Sequence, residues 1–296
     1  MKIASVSLEG ISGLPNQSFA LAPDLCVIAG PPGSGKTRLL EAILAAKEVV
    51  GPYVGMVREE DWVADPARGA TLTLELSLDA AERELCPGSP RARVELGRGR
   101  ITHEADRGLQ KLLSRYEHSP ASGKFEYFAE NRQLAWGARA DGLGEMEQLL
   151  ARVGKDAQKY GFLSRLLRAL RRDEAKGARF VSLVERLAPS LSVTIPTSDD
   201  DDVFFASRGR PVFLSQLSSA EAEAVIFAGT AVLVELHSSV VLVDRPELYV
   251  HTERLPSFVE ALGTLGTDNQ LILATGSPVV VEAAGRARVH SLGALR

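Results

Sequence analysis

The segment GPPGSGKT, residues 30–37, constrains the fold of this chain more than any other. It matches the pattern G-x-x-x-x-G-K-[ST] in full, and it lies between an apolar run, LCVIAG, and a helix-like run, TRLLEAIL. The glycines permit a tight turn in which backbone N–H groups and the N-terminus of the next helix point at one spot, which favours a bound phosphate. The sequence therefore predicts a strand–loop–helix unit that binds a nucleoside triphosphate.

The side chains of this loop have separate expected roles. The Lys36 amine is expected to reach the β- and γ-phosphates, and the Thr37 hydroxyl is expected to ligate Mg²⁺. The predicted nucleotide-binding residues of the loop are Gly30, Pro31, Pro32, Gly33, Ser34, Gly35, Lys36 and Thr37.

A second run, VVLVD at residues 240–244, is the expected partner of this loop. Apolar residues that end in an aspartate are typical of a buried parallel strand that delivers a carboxylate to a phosphate site. Asp244 is therefore predicted to bind the nucleotide and to hold Mg²⁺ through water. The C-terminal third alternates helical patterns with apolar strands such as LILATG, which favours a parallel sheet covered on both faces.

The middle of the chain has other patterns. ATLTLELSL (70–78) and RARVEL (91–96) alternate apolar and polar residues and predict an antiparallel hairpin. FEYFAENRQL (125–134) predicts a strand that runs into a loop. From 142 to 189 the pattern is helical and charged, with MEQLLARV, FLSRLLRALRR and ARFVSLVERLA, and the acidic run at 199–202 is expected to be a solvated turn.

Composition limits the function. With 296 residues, the chain has room for one large or two small domains, and its net charge of −4 gives no general attraction to nucleic acid. The arginines of SRLLRALRR (164–172) fit either a nucleic-acid-binding face or the solvated side of an amphipathic helix; the net charge and the lack of interleaved aromatic residues favour the second. Two isolated cysteines, no signal-like start and no apolar run long enough for a membrane span lead us to expect a soluble cytoplasmic protein.

Three further segments follow in a fixed order: LSSAE (217–221), VVLVDRPELYVHT (240–252) and LILATGSP (271–278). With the phosphate loop, they resemble the ABC-class P-loop ATPases of the soluble branch that includes SMC proteins, DNA-repair ATPases and OLD-family nucleases. FEYFAENRQ resembles the part of this branch in which an arginine, here Arg132, follows an aromatic strand; Gln133 is a weaker match to the glutamine of the family. The resemblance covers nearly the whole chain.

This resemblance implies an α/β fold: a P-loop NTPase with an ABC-ATPase-like head, a mostly parallel sheet, an antiparallel β subdomain and a helical lobe. It implies one ABC-type ATPase domain over 1–296, without the coiled coil or nuclease domain of some relatives. The parts of this domain would be an N-terminal P-loop and antiparallel β portion at 1–141, a helical lobe at 142–202 and a signature half at 203–296.

The same resemblance implies ATP and Mg²⁺ as cofactors. Two copies would form a head-to-tail homodimer, or a heterodimer with a related chain, with ATP sandwiched between them. Ser218 of one copy would approach the γ-phosphate held by Lys36 of the other. Tyr249 and His251 fall in a turn that reaches across the dimer interface in the family, and an ordinary surface turn is the alternative.

Three positions depart from the family pattern. The glutamate that polarises the attacking water is Arg245 here, the histidine before Ser-Pro is Gly276, and the signature glycine is Ala220. An arginine cannot act as a general base at neutral pH, and a glycine has no side chain to contact phosphate. Glu247 is the one candidate catalytic residue; on an extended segment it would point the same way as residue 245.

Three hypotheses about function follow. The first is an ATP-binding switch or scaffold that dimerises, hydrolyses ATP slowly or not at all, and acts on a separate effector protein. The second is an active ATPase in bacterial DNA maintenance or phage defence, stimulated by nucleic acid or by an effector. The third is a transporter motor subunit, which the absence of a recognisable membrane-coupling segment disfavours.

Overall fold

A computed structural model describes residues 1–51, 57–113, 125–134, 153–196 and 203–293. The acidic run at 199–202 and all but the last residue of the predicted helical segment MEQLLARV lie outside these residues. The chain divides into two compact units, each discontinuous in sequence. Unit 1 comprises Met1–Tyr127, His237–Arg245 and Asp268–Arg296, and unit 2 comprises Phe128–Leu236 and Pro246–Thr267.

Unit 1 contains an antiparallel sheet of five strands. Its order is β2-β1-β4-β5-β6, and each neighbouring pair is antiparallel. The predicted hairpin is confirmed as β4 and β5, with Leu72 opposite Val94, and the alternating leucines are buried because every second side chain points to one face. The strands are β1 (Lys2–Glu9), β2 (Gln17–Ala20), β4 (Ala70–Ser77), β5 (Arg91–Gly97) and β6 (Arg100–Ala105).

A second sheet of five strands carries the phosphate loop. Its order is β13-β3-β12-β11-β7, and the pairs β13–β3, β3–β12 and β12–β11 are parallel, which confirms the predicted parallel sheet. The two strands with continuous apolar runs, β11 and β12, are buried along their whole length. The strands are β3 (Leu25–Ala29), β7 (Phe125–Phe128), β11 (Val240–Asp244), β12 (Gln270–Thr275) and β13 (Val289–Ser291).

The helix that follows the phosphate loop is the longest of unit 1 among the residues described. It is mostly apolar and buried, but it also buries Lys47, whose Nζ donates a hydrogen bond of 2.9 Å to the carbonyl oxygen of Leu113. Burial lowers the pKa of Lys47 from 10.5 to about 7. The helices of unit 1 are α1 (Lys36–Val50), α2 (Glu59–Trp62), α3 (Ala80–Leu85), α4 (Arg107–Leu113) and α9 (Pro278–Ala284).

Unit 2 combines helices with a small antiparallel sheet of order β10-β9-β8. The sequence patterns predict the four helices described in this unit but not its strands, which are only three or four residues long. Among its helices, Ser219–Leu233 is buried over most of its length. The elements are α5 (Leu163–Leu170), α6 (Glu174–Leu187), β8 (Leu191–Thr194), β9 (Phe204–Ser207), β10 (Arg210–Val212), α7 (Ser219–Leu233) and α8 (Leu255–Leu262).

The basic helix α5 has one buried face. Leu163, Leu166, Leu167 and Leu170 are buried, whereas Arg165 and Arg168 are exposed, as expected for the solvated side of an amphipathic helix. No helix in the described parts of the chain has the length and apolar character needed to cross a membrane.

Candidate nucleotide-binding site

Three strands of the parallel sheet end side by side in unit 1. Ala274 of β12 is in register with both Ile28 of β3 and Asp244 of β11. The carboxyl ends of parallel strands form the edge at which α/β proteins bind ligands. The phosphate loop, Asp244 and the segment before Gly276 therefore meet at one edge, as the sequence predicts.

The loop has the backbone geometry of a phosphate cradle. Gly33 and Gly35 have φ angles of 77° and 90°, which side chains rarely permit. A Cβ atom on Gly35 would also lie 2.5 Å from the carbonyl oxygen of Gly13, so this glycine is required for two reasons. Helix α1 begins without a side-chain cap and without an acidic residue in its first turn, which leaves its N-terminal N–H groups suited to an anion.

The polar side chains of the loop make hydrogen bonds within unit 1. Lys36 Nζ donates a hydrogen bond of 2.8 Å to the carbonyl oxygen of Pro31, so its amine turns back over the loop. Thr37 Oγ1 donates a hydrogen bond of 2.7 Å to Oδ2 of the buried Asp244. Ser34 Oγ is buried and has no hydrogen-bond partner among the described residues. A lysine, a hydroxyl and a carboxylate fit a phosphate with Mg²⁺, which prefers oxygen ligands.

Arg245 follows Asp244 directly. It is exposed, its φ is 51°, and its backbone N–H donates a hydrogen bond of 2.8 Å to the carbonyl oxygen of Ala274. The prediction of an extended segment from Arg245 to Glu247 is wrong, because the chain enters a left-handed conformation at Arg245 and a turn after it. Strand alternation therefore gives no reason for the side chains of residues 245 and 247 to point the same way.

Gly276 lies at the end of β12, next to the start of the phosphate loop. The nearest atom to a Cβ added there would be the carbonyl oxygen of Gly30, at 3.8 Å, which is an ordinary van der Waals distance. Its φ is outside the left-handed region. Packing around Cβ therefore does not require a glycine at this position.

Comparison with known protein families decides the assignment of the fold. The sequence model of one family, described as "AAA domain, putative AbiEii toxin, Type IV TA system", matches residues 25–282. The chain belongs to this AAA domain family. No curated protein sequence matches it significantly.

Solved SMC heads share the fold of this AAA domain chain. The SMC head domain from Thermotoga maritima is 18% identical to it, with a TM-score of 0.54 over 98% of this chain and 94% of that one. An SMC head bound to the C-winged helix domain of ScpA is 15% identical to it, with a TM-score of 0.62 over 96% of this chain and 92% of that one. A third structure is an SMC head domain with an extended coiled coil, bound to the C-terminal domain of ScpA derived from Pyrococcus furiosus. It is 14% identical to this chain, with a TM-score of 0.62 over 96% of this chain and 92% of that one. These likenesses show that the chain has the fold of an SMC head, which is a P-loop NTPase fold.

The predicted signature residues lie in unit 2 of this AAA domain chain. Ser218 caps α7, and Glu221 accepts hydrogen bonds from the backbone N–H and the hydroxyl of Ser218 at 3.0 and 2.7 Å. The hydroxyls of Ser207 and Ser190 also donate to Glu221, at 2.5 and 3.4 Å. Burial alone would raise the pKa of Glu221, but the hydrogen bonds from Ser207 and Ser218 outweigh it and lower the pKa. The signature turn is therefore organised around one ionised carboxylate.

A buried ion pair anchors α7. Nε of Arg132 lies 2.5 Å from Oε1 of Glu223, both side chains are 0% exposed, and Arg132 also donates to the carbonyl oxygen of Ala129 at 2.7 Å. The pKa of Glu223 is raised, chiefly by burial and further by the negative charge of Glu247, while Arg132 opposes the shift. The family resemblance pointed to Arg132, but Glu223 had no recognisable signal in the sequence. Gln133 is exposed.

Four predicted residues of unit 2, but not Glu247, line one cavity of about 720 Å³. Ser218 and Ala220 lie on one side of it, and Tyr249 and His251, from the turn after Glu247, lie on another. Glu247 and Tyr249 are half-buried and His251 is exposed. The cavity also contains arginines that the sequence patterns did not mark: Arg208, Arg210 and Arg254.

Proposed function

We propose that this chain is an ATP-binding switch that pairs head to tail with a second copy, or with a related chain, and hydrolyses ATP slowly or not at all. The observation that carries the proposal is the contrast at one sheet edge. Lys36, Thr37 and Asp244 keep the chemistry that holds a magnesium nucleotide, whereas Arg245 and Gly276 replace the two hydrolysis-linked side chains of the family.

The chemistry of the substituted positions supports slow hydrolysis. Loss of a positioned general base lowers an enzymatic rate by about 10²–10⁴-fold. The Arg245 guanidinium cannot accept a proton, but it can pair with a phosphate oxygen, which would retain the nucleotide. When bound, Mg²⁺ would offset the negative charge of the phosphates; Thr37 and Asp244 are the residues we assign to hold it, Asp244 through water.

A dimer would convert nucleotide binding into a signal. Ser218 lies at the exposed N-terminus of α7, where it is available to a γ-phosphate held by Lys36 of the second copy. Because ATP would then contact both copies, it would favour the closed dimer over separate chains. We assign the readout of this closure to a separate effector protein, and we place the chain in the cytoplasm.

One observation favours the alternative, an active ATPase stimulated by nucleic acid or by an effector. Glu247 remains beside the substituted position, and its negative charge adds to the effect of burial in raising the pKa of Glu223. A carboxyl group with a raised pKa is typical of acid–base sites. In this alternative, Glu247 would activate water in place of residue 245.

Sedimentation velocity tests the switch. We expect the purified chain to be monomeric without nucleotide or with ADP, and dimeric with ATP and Mg²⁺. The variant Lys36→Met should stay monomeric because it loses the amine that holds the phosphates. Ser218→Arg should bind ATP but stay monomeric. A wild-type chain that carries bound ATP and remains a monomer at every concentration would overturn the proposal.

A further inference from the structure

The cavity beside the signature turn has the composition of an anion-binding site. Three arginines line it, Arg208, Arg210 and Arg254, against a single carboxylate, Glu221, so its described lining has two net positive charges. Guanidinium groups bind phosphate oxygens with paired, charge-assisted hydrogen bonds. The cavity lies entirely in unit 2, whereas Lys36 and Thr37 belong to unit 1.

The carboxylate of Glu221 does not neutralise this site for a ligand. It already accepts hydrogen bonds from the hydroxyls of Ser190, Ser207 and Ser218. Its acceptor capacity is therefore used within the protein, and the exposed guanidinium groups of Arg208 and Arg210 supply the charge at the mouth of the cavity.

The same carboxylate fixes the arginines relative to the signature turn. Ser207, at the end of β9, directly precedes Arg208, and its hydroxyl lies 2.5 Å from Glu221 Oε1. The β9–β10 hairpin, which pairs Ser207 with Arg210, is thereby tied to the same side chain that Ser218 contacts. The backbone N–H of Arg208 also donates to the carbonyl oxygen of Ser190 at 2.8 Å. The hairpin and the signature turn thus form one preorganised surface.

We propose that Arg208 and Arg210 bind the triphosphate of ATP that a second copy of this chain holds in its phosphate loop. This inference rests on the proposed head-to-tail dimer and adds to it the residues that recognise the nucleotide in trans. The two arginines of one copy contact the phosphates held by the other copy, in which Gly276 lacks a side chain that could contact them.

The chain contains its own control. A second hairpin, β5–β6, carries the same Arg-Gly-Arg sequence at residues 98–100, and its turn has similar geometry. Arg98 and Gly99 have φ angles of 58° and 72°, and Arg208 and Gly209 have 49° and 76°. The double variant Arg98→Glu/Arg100→Glu therefore changes the net charge and the turn in the same way, at residues that do not line the cavity of unit 2.

The test compares these variants by sedimentation velocity with ATP and Mg²⁺, and by titration with a fluorescent ATP analogue. Arg208→Glu/Arg210→Glu should bind the analogue as wild type does but require at least about tenfold more protein to dimerise, since charge-assisted contacts are lost. Arg208→Lys/Arg210→Lys should dimerise to an intermediate degree because the charge remains. Arg98→Glu/Arg100→Glu should behave as wild type.

Mixing two defective chains shows whether the contact is made in trans. Lys36→Met lacks the nucleotide, and Arg208→Glu/Arg210→Glu lacks the arginines, so their mixture can form one complete site and should give a mixed dimer that neither forms alone. The inference is wrong if wild type dimerises with ATP and Arg208→Glu/Arg210→Glu dimerises equally well, or if both hairpin variants are equally impaired. It is also wrong if Arg208→Glu/Arg210→Glu loses nucleotide binding as a monomer, or if the mixture stays monomeric. A wild-type chain that remains monomeric with ATP bound would instead overturn the switch itself.

Discussion

The nucleotide-holding residues and the hydrolysis-linked residues of unit 1 lie at the ends of neighbouring strands, yet they differ in kind. Thr37 and Asp244 are joined by a 2.7 Å hydrogen bond, and Gly35 cannot be replaced without a clash. By contrast, Arg245 is exposed, and a Cβ atom on Gly276 would make only an ordinary van der Waals contact. The geometry therefore constrains the proposed binding residues more tightly than the positions linked to hydrolysis in the family, so substitution of the second set need not disturb the first.

Restoring the family side chains at the two substituted positions should have the largest effect, which is on the rate of ATP hydrolysis. Arg245→Glu/Gly276→His should raise the rate of ATP hydrolysis by about 10²–10⁴-fold, because it returns a general base and a phosphate contact. Release of inorganic phosphate from the purified chain measures the rate. The single change Gly276→Ala is the control, since it fills the same space without a donor. An unchanged rate in the double variant would show that other residues limit hydrolysis.

The buried pair Arg132–Glu223 extends the comparison to the helix that carries the signature. Arg132→Met should lower the free energy of unfolding by about 3–5 kcal/mol, because it leaves the Glu223 carboxylate buried without its partner. Arg132→Met/Glu223→Met should recover most of this loss. Urea denaturation measures both.

The control for this prediction is the exposed pair Lys2–Asp268, at 2.7 Å. Lys2→Met should cost less than about 1 kcal/mol, because solvent screens such pairs. Equal losses from Arg132→Met and Lys2→Met would show that burial does not set the strength of the Arg132 contact.

A pH-dependent effect concerns α1, the helix that begins with Lys36. The pKa of Lys47 falls from 10.5 to about 7 on folding, so between these values the unfolded chain binds more protons than the folded one. Stability should therefore rise with pH from about 7 towards 10, by at most about 1.4 kcal/mol per pH unit from this residue. Lys47→Met should be more stable at pH 7 and should lack this part of the slope. Denaturation of both proteins across this range is the measurement, and parallel slopes would contradict it.

The two halves of the site were not equally predictable from sequence. The phosphate loop and VVLVD could be placed because each has local requirements: glycines at left-handed positions, a continuous apolar strand, and a carboxylate at its end. The conformation of Arg245 could not be predicted, because a left-handed φ at an arginine has no local signal. Glu223 and the arginines of the signature cavity depend on contacts between distant segments, so only the fold brings them together.

The central claim is that this chain holds ATP without consuming it quickly, and single-turnover hydrolysis tests it most directly. The purified chain is loaded with substoichiometric radiolabelled ATP and Mg²⁺, and the bound nucleotide is separated into ATP and ADP over time. We expect bound ATP to persist, in wild type and in Glu247→Gln alike. Rapid conversion to ADP by wild type, abolished in Glu247→Gln, would contradict the account and identify Glu247 as the catalytic base.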